Sequence, residues 1–138
     1  MLFRSAAPFL DVKELGIKLP LSAQILDLTY AYIPPTDGSS PAALELSTLK
    51  AKKIPTWNGK NTCGTALNPF GSYTVYTSRQ SNEGGGDAQA GTLEATVNGK
   101  YIYYHHGQSA CGDNVQESNE LISLIDPVLT AVKNAQAD

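Results

Sequence analysis

Apolar residues recur at or near every second position from Phe9 to Leu19: Leu10, Val12, Leu15, Ile17 and Leu19. That spacing predicts a first strand or hairpin with a bend at Gly16, ended by Pro20. The alternation is clearer between Ile25 and Ile33. There Leu26, Leu28, Tyr30 and Tyr32 fall on one face of a strand, while Ile25, Asp27, Thr29 and Ala31 fall on the other. Pro34, Pro35 and Pro41 then interrupt pairing and predict an exposed loop.

Ala42 to Leu46 reads as a short strand, and Ser47-Thr48-Leu49 as the opening of a Lys-rich helical turn. Asn58-Gly59 tolerates the positive φ of a tight turn, so the chain is expected to reverse before Cys63. Tyr73-Thr74-Val75-Tyr76-Thr77 is a run of aromatic and β-branched residues, which predicts a strand. Beyond it the chain is rich in Gly and has no large apolar side chain, the composition of a flexible surface loop over 79–91. Thr92 to Val97 and Tyr101 to Tyr104 flank Asn98-Gly99-Lys100, the signature of a β-hairpin.

The C-terminal part changes period. Asn114 and Glu117 have the spacing of a capping box, and Leu121, Ile122, Ile125, Val128, Leu129 and Val132 repeat at three and four residues. This predicts an amphipathic helix, with Asp126-Pro127 kinking it or starting it afresh. The whole is an α+β domain: an antiparallel sheet of five or six strands with the C-terminal helix packed on one face. One domain is expected over 1–138, with residues 1–8 as a disordered or tag-like lead.

Composition removes some functions. The 138 residues carry ten Lys and Arg against thirteen Asp and Glu, a net charge of −3. The densest basic cluster is Lys50, Lys52 and Lys53, which is no stripe for nucleic acid. No apolar run approaches the roughly 20 residues of a membrane-spanning helix. Met1 to Ala7 turns polar too soon for a secretory signal.

The two cysteines say more. Cys63 and Cys111 each precede Gly in a polar, turn-like stretch, and a matched pair of this kind reads as one disulfide. Disulfides persist mainly outside the cytosol, so the chain reads as the soluble part of an exported protein, secreted or held at the surface by a segment outside this chain. The competing expectation is a cytosolic adaptor with two inert thiols.

Candidate chemistry centres on the approach to the helix. His105-His106 could titrate near neutrality or bind metal, but neighbouring strand residues face opposite ways and no metal-ligand spacing accompanies the pair. Either histidine with Ser109 or Asp113 would supply the parts of a small hydrolase of the esterase or lactonase type, without a Gly-x-Ser-x-Gly elbow. Asp113, Asn114 and Glu117 offer oxygens for a loose calcium site, although helix capping accounts for the same residues. Gly84-Gly85-Gly86 lacks the Lys and Ser or Thr of a phosphate cradle, and Asp87 opposes an anion. No cofactor is expected.

Aromatic residues offer the other reading. If Tyr101 and Tyr103 share a solvent face with Tyr30 or Tyr32, and Tyr104 and Trp57 lie close by, the sheet presents rings to a small molecule, a glycan or a protein partner. The bland alternative is that the tyrosines fill a half-buried sheet and Trp57 anchors a core.

Two resemblances bear on this choice. The stretch Phe9-Leu10-Asp11-Val12-Lys13-Glu14-Leu15-Gly16-Ile17-Lys18-Leu19-Pro20 is followed by a Leu-Thr-Tyr strand, Ala-Leu-Glu-Leu-Ser-Thr-Leu, a mid-chain Cys, and Tyr-Ile-Tyr-Tyr before a second Cys. In this order the elements resemble the soluble domains of uncharacterised exported or membrane-anchored proteins of candidate-phylum bacteria such as Saccharibacteria. A first hairpin built on Gly-Ile-Lys-Leu-Pro is also similar to the PsbP/Mog1 type of α+β sandwich. The first resemblance implies an exported or anchored location, the second concerns fold alone, and neither supplies catalytic residues. The expectation is therefore a non-enzymatic extracytoplasmic binding or surface-assembly domain, with the small hydrolase as the alternative.

Overall fold

The computed structural model describes residues 8–36, 41–55, 63, 70–83, 90–106, 111 and 115–138. Two antiparallel sheets and one long helix make up an α+β fold. The first hairpin pairs β1 (Phe9–Val12) with β2 (Ile17–Pro20), and a 3-10 turn at Lys13–Leu15 carries the chain between them. Its small sheet is completed by a two-residue strand near the C-terminus, described below, so the expected single sheet becomes two.

The larger sheet holds β3 (Leu28–Ile33), β4 (Ala42–Thr48), β5 (Ser72–Tyr76), β6 (Thr92–Val97) and β7 (Lys100–His105), in the order β3-β4-β5-β7-β6. β3 begins three residues later than the alternation suggests. Ala23–Ile25 forms a 3-10 turn that buries Ile25 and leaves Leu26 59% exposed. Asp27 fixes that start: its carbonyl accepts from Leu49 N (3.2 Å) and its carboxylate from Lys50 N (2.9 Å). Tertiary hydrogen bonding here outweighs a local apolar period.

Those two bonds also position α1 (Leu49–Lys52), whose N-cap Thr48 accepts from Ala51 N through Oγ1 at 3.0 Å. Ser47 and Thr48 end β4 rather than open the helix, which lengthens the strand past Leu46.

β6 and β7 form the expected hairpin. Asn98 (φ 51°) and Gly99 (φ 72°) are its two turn residues, and Lys100 already belongs to β7. Both positive φ values match a type I′ turn, whose twist suits the strands. A bulge lies between Leu93 and Ala95.

The second helix, α2 (Val115–Lys133), runs unbroken through Pro127. Packing of Leu121, Leu124, Val128 and Val132 outweighs the one backbone bond that proline forfeits, so no restart occurs at Asp126. After α2 the chain adds β8 (Gln136–Ala137) to β2.

One face of the large sheet, the first hairpin and α2 enclose a single core. Leu44, Leu46, Tyr73 and Ile102 meet Val12, Ile17, Leu19 and the buried face of α2 there. The disulfide Cys63–Cys111 lies in the same core, with Cα atoms 6.0 Å apart and both cysteines buried. Cys63 N also donates to Ile54 O at 2.9 Å, fastening the link to the end of α1.

The tips of the two hairpins are stitched together. Asn98 Nδ2 donates to Leu15 O at 2.9 Å, and Asp138 N donates to Gly16 O at 3.0 Å. Gly16 has φ 64°, a conformation that favours glycine, and a Cβ there would stand 2.6 Å from Asn98 Nδ2 and displace that amide from its tether.

This contact makes a specific prediction. Asn98→Ala should lower unfolding free energy in urea by about 1–2 kcal/mol, combining the lost hydrogen bond with an alanine forced to positive φ. Asn98→Gly should lose less, because glycine keeps the turn and gives up only the tether. An unchanged midpoint for Asn98→Ala would show that the tips are not joined.

Candidate functional site

The histidines stand at the end of β7. His105 is its last residue and half-buried, whereas His106 follows it and is exposed. His105 packs against Gly91, where φ is 85° and a Cβ would lie 2.7 Å from His105 Cδ2 and Nε2 and 2.6 Å from Tyr104 O. Ser109 and Asp113, the other parts of the hydrolase alternative, lie outside the described residues, as do Trp57, Asn114 and the Gly84–Gly86 run. Glu117 sits half-buried in the first turn of α2. Among the described residues, no group of three His, Cys, Asp or Glu side chains could hold a metal.

The tyrosines divide between the two faces of the large sheet. Tyr30 and Tyr32 pack against the core, as does Tyr104, whose ring centroid is 5.0 Å from that of Tyr73. Tyr101 and Tyr103 alternate with Ile102 and Tyr104 on β7 and so take the outer face. The aromatic surface expected from Tyr30, Tyr32, Tyr101 and Tyr103 together is thus not assembled.

Nor is Tyr103 open to a ligand, because it is 0% exposed. Residues 79–83 cover it. Its hydroxyl donates to Glu83 Oε2 at 2.6 Å and accepts from Gln80 N at 2.9 Å, while Tyr76 meets its ring edge-on at 5.4 Å. Arg79 Nε donates to Glu83 Oε1 at 2.9 Å. Glu83 in turn forms a parallel bridge with Gly91. The sequence hid this arrangement because Arg79 and Glu83 look like ordinary solvated charges until the fold sets Tyr103 beneath them.

Electrostatics follow from these contacts. Arg79, and then the Tyr103 hydroxyl, hold the Glu83 carboxyl below the usual carboxylate range. Burial raises the Tyr103 hydroxyl, and the bond to Glu83 adds to it. On the core side, burial first and then Glu94 and Asp126 raise Tyr104. Burial drives Tyr73 strongly upward, and its hydroxyl has no hydrogen-bond partner among the described residues. Neutral tyrosine is the stable form at both positions.

Two of the cavities lined by described residues offer room for a ligand. The larger, about 550 Å³, opens between the turn after β2 and the second half of α2. Pro20, Leu21, Pro127 and Ala131 make its apolar lining, and Ser22, Gln24, Thr130 and Asn134 supply neutral polar groups. Asp126 is the one charged residue in that lining. Asn134 Nδ2 is engaged by Thr130 O at 2.9 Å, which leaves the amide oxygen for a ligand. The second cavity, about 220 Å³, lies at the other end of β2, beside Leu15 and Tyr32.

Tyr103→Phe should speed hydrogen exchange at Gln80, since its amide loses an acceptor while Glu83 loses a donor. The same cover should respond to acid. Because the folded pKa of Glu83 is lowered, its contribution is complete above the ordinary value of 4.5 and is lost as pH falls through the lower folded value. Exchange at Gln80 should therefore be steady from pH 7 to 5, after correction for intrinsic rates, and rise only in more acid solution. A rise centred at the ordinary value, or none in Tyr103→Phe relative to wild type, would contradict the latch.

Comparison of the chain with protein-family models, curated proteins and solved structures gives no match, so the geometry of these residues carries the functional reading.

Proposed function

We propose that this chain is a non-catalytic extracytoplasmic binding domain, whose ligand occupies the cleft between Pro20–Gln24 and α2. The cleft carries the reading: about 550 Å³ of mostly apolar lining with a few neutral polar groups is the usual form of a small-molecule site. Asp126, the only charge on its walls, favours a neutral or amine-bearing molecule over an anion. Its walls belong to a 3-10 turn and a long helix packed on the core, so the site is preformed and little ordering opposes binding.

Location rests on the covalent link. Cys63–Cys111 is compatible with an oxidising compartment, and no described helix is long and apolar enough to cross a membrane. A disulfide-bonded domain with a preformed cleft fits capture of a ligand outside the cytosol. Surface assembly remains the same reading with the ligand replaced by a side chain of a partner.

A fragment titration followed by 15N-1H spectra tests this. Amine-bearing fragments should shift the amides of Gln24, Thr130 and Asn134 in a saturable way, and carboxylates should not. Thr130→Trp, which fills the cleft from an exposed position, should abolish those shifts and leave the remaining spectrum in place. Saturable shifts that persist in Thr130→Trp would overturn the assignment. So would turnover of simple esters or lactones that is lost in His106→Ala and Ser109→Ala, which would restore the hydrolase.

A further inference from the structure

We infer that the smaller cavity, at the tip of the first hairpin, is a second binding site that accepts a small organic carboxylate with a single-ring body. This inference does not rest on the cleft along α2, which lies at the opposite end of β2 and carries the opposite charge.

The cavity is built by four strands and a turn. Leu15 comes from the hairpin tip, Tyr32 and Pro35 from β3 and its exit, Pro41 from the approach to β4, Val75 from β5, and Lys100 from the start of β7. Proline and aliphatic groups make it largely apolar, and Lys100 is the sole charged residue in the lining. No hydrogen bond or ion pair engages Lys100 or the Tyr32 hydroxyl among the described residues. Glu14, which precedes Leu15, accepts from the Tyr30 hydroxyl at 2.7 Å and is not part of the lining.

An ammonium and a phenol beside apolar walls, both with hydrogen-bonding capacity left over, select a chemistry. A lone lysine is a point charge suited to one negative charge, whereas phosphate is held by several donors or by a bidentate arginine. The phenol can donate to the second carboxylate oxygen. At about 220 Å³, the space is at the small end for a ligand cavity and has room for one ring with its carboxylate.

Position adds a reason why the site is rigid. Lys100 follows Asn98 and Gly99, the turn whose Asn98 Nδ2 donates to Leu15 O and, at 3.4 Å, to Gly16 O, so that side chain joins the two hairpins that line the cavity. Substitution of Asn98 should loosen this cavity and spare the cleft along α2.

Benzoate is the probe, with benzyl alcohol as its uncharged counterpart. In 15N-1H titrations of the full chain, benzoate should shift Tyr32, Thr77 and Lys100 amides saturably, with benzyl alcohol about tenfold weaker. Lys100→Met should weaken benzoate by about the same factor and leave benzyl alcohol unchanged, whereas Lys100→Arg should retain benzoate binding. The spectra of both variants report folding independently. Equal binding of the two probes, benzoate binding that survives Lys100→Met, or shifts confined to Gln24, Thr130 and Asn134 would each overturn the inference. Failure of benzoate to saturate any site up to its solubility would do the same, and would leave the amine-binding cleft untouched.

Discussion

The Cys63–Cys111 link is the constraint on which the rest of this fold depends. Cys63 stands between α1 and β5, and Cys111 between β7 and α2, so one bond joins these two connections of the chain. Both residues are buried in the same core cluster as Leu46, Tyr73 and Leu121, and Cys63 N donates to Ile54 O. The sulfurs are thus part of the hydrophobic core as well as a chain crosslink. With the partners 48 positions apart in sequence, crosslinking restricts the unfolded chain far more than a short loop would. α2 can then pack its apolar stripe on a sheet whose central strands are already close to it.

A second, weaker junction sits at Gly16. There the first hairpin, the β6–β7 turn and the C-terminal residue meet through Asn98 Nδ2 and Asp138 N. The disulfide secures the loops and α2, and the Gly16 junction aligns the small sheet with the large one. The two proposed sites use different halves of this arrangement. The cleft along α2 depends on how the helix meets the turn after β2, and the carboxylate site depends on the two hairpin tips. Acidic at one end and basic at the other, they suit different ligands.

Much of the scaffold was legible because its signals are local. The Gly16 bend, the Asn98-Gly99 turn, the β5 run and the three-and-four spacing of α2 each fix structure through nearby residues. The cysteine pairing was legible because only one pairing exists. What failed was tertiary in origin. Leu26 obeys the strand period yet lies in the turn that Asp27 pins to α1, and β8 has only two residues with no pattern of their own. The site was less visible still. Tyr103 looks like any strand tyrosine until Glu83 covers it, and Lys100 looks like a turn lysine until Tyr32 and Pro35 arrive beside it from residues far away in sequence.

The most direct measurement is the unfolding free energy of the Cys63→Ser, Cys111→Ser double variant against the oxidised protein in urea. Chain entropy predicts a loss of about 4 kcal/mol, with the unfolding slope otherwise that of a single cooperative domain. A loss below about 1 kcal/mol would contradict the account, because the link would then be incidental to the fold and to the oxidising location argued from it.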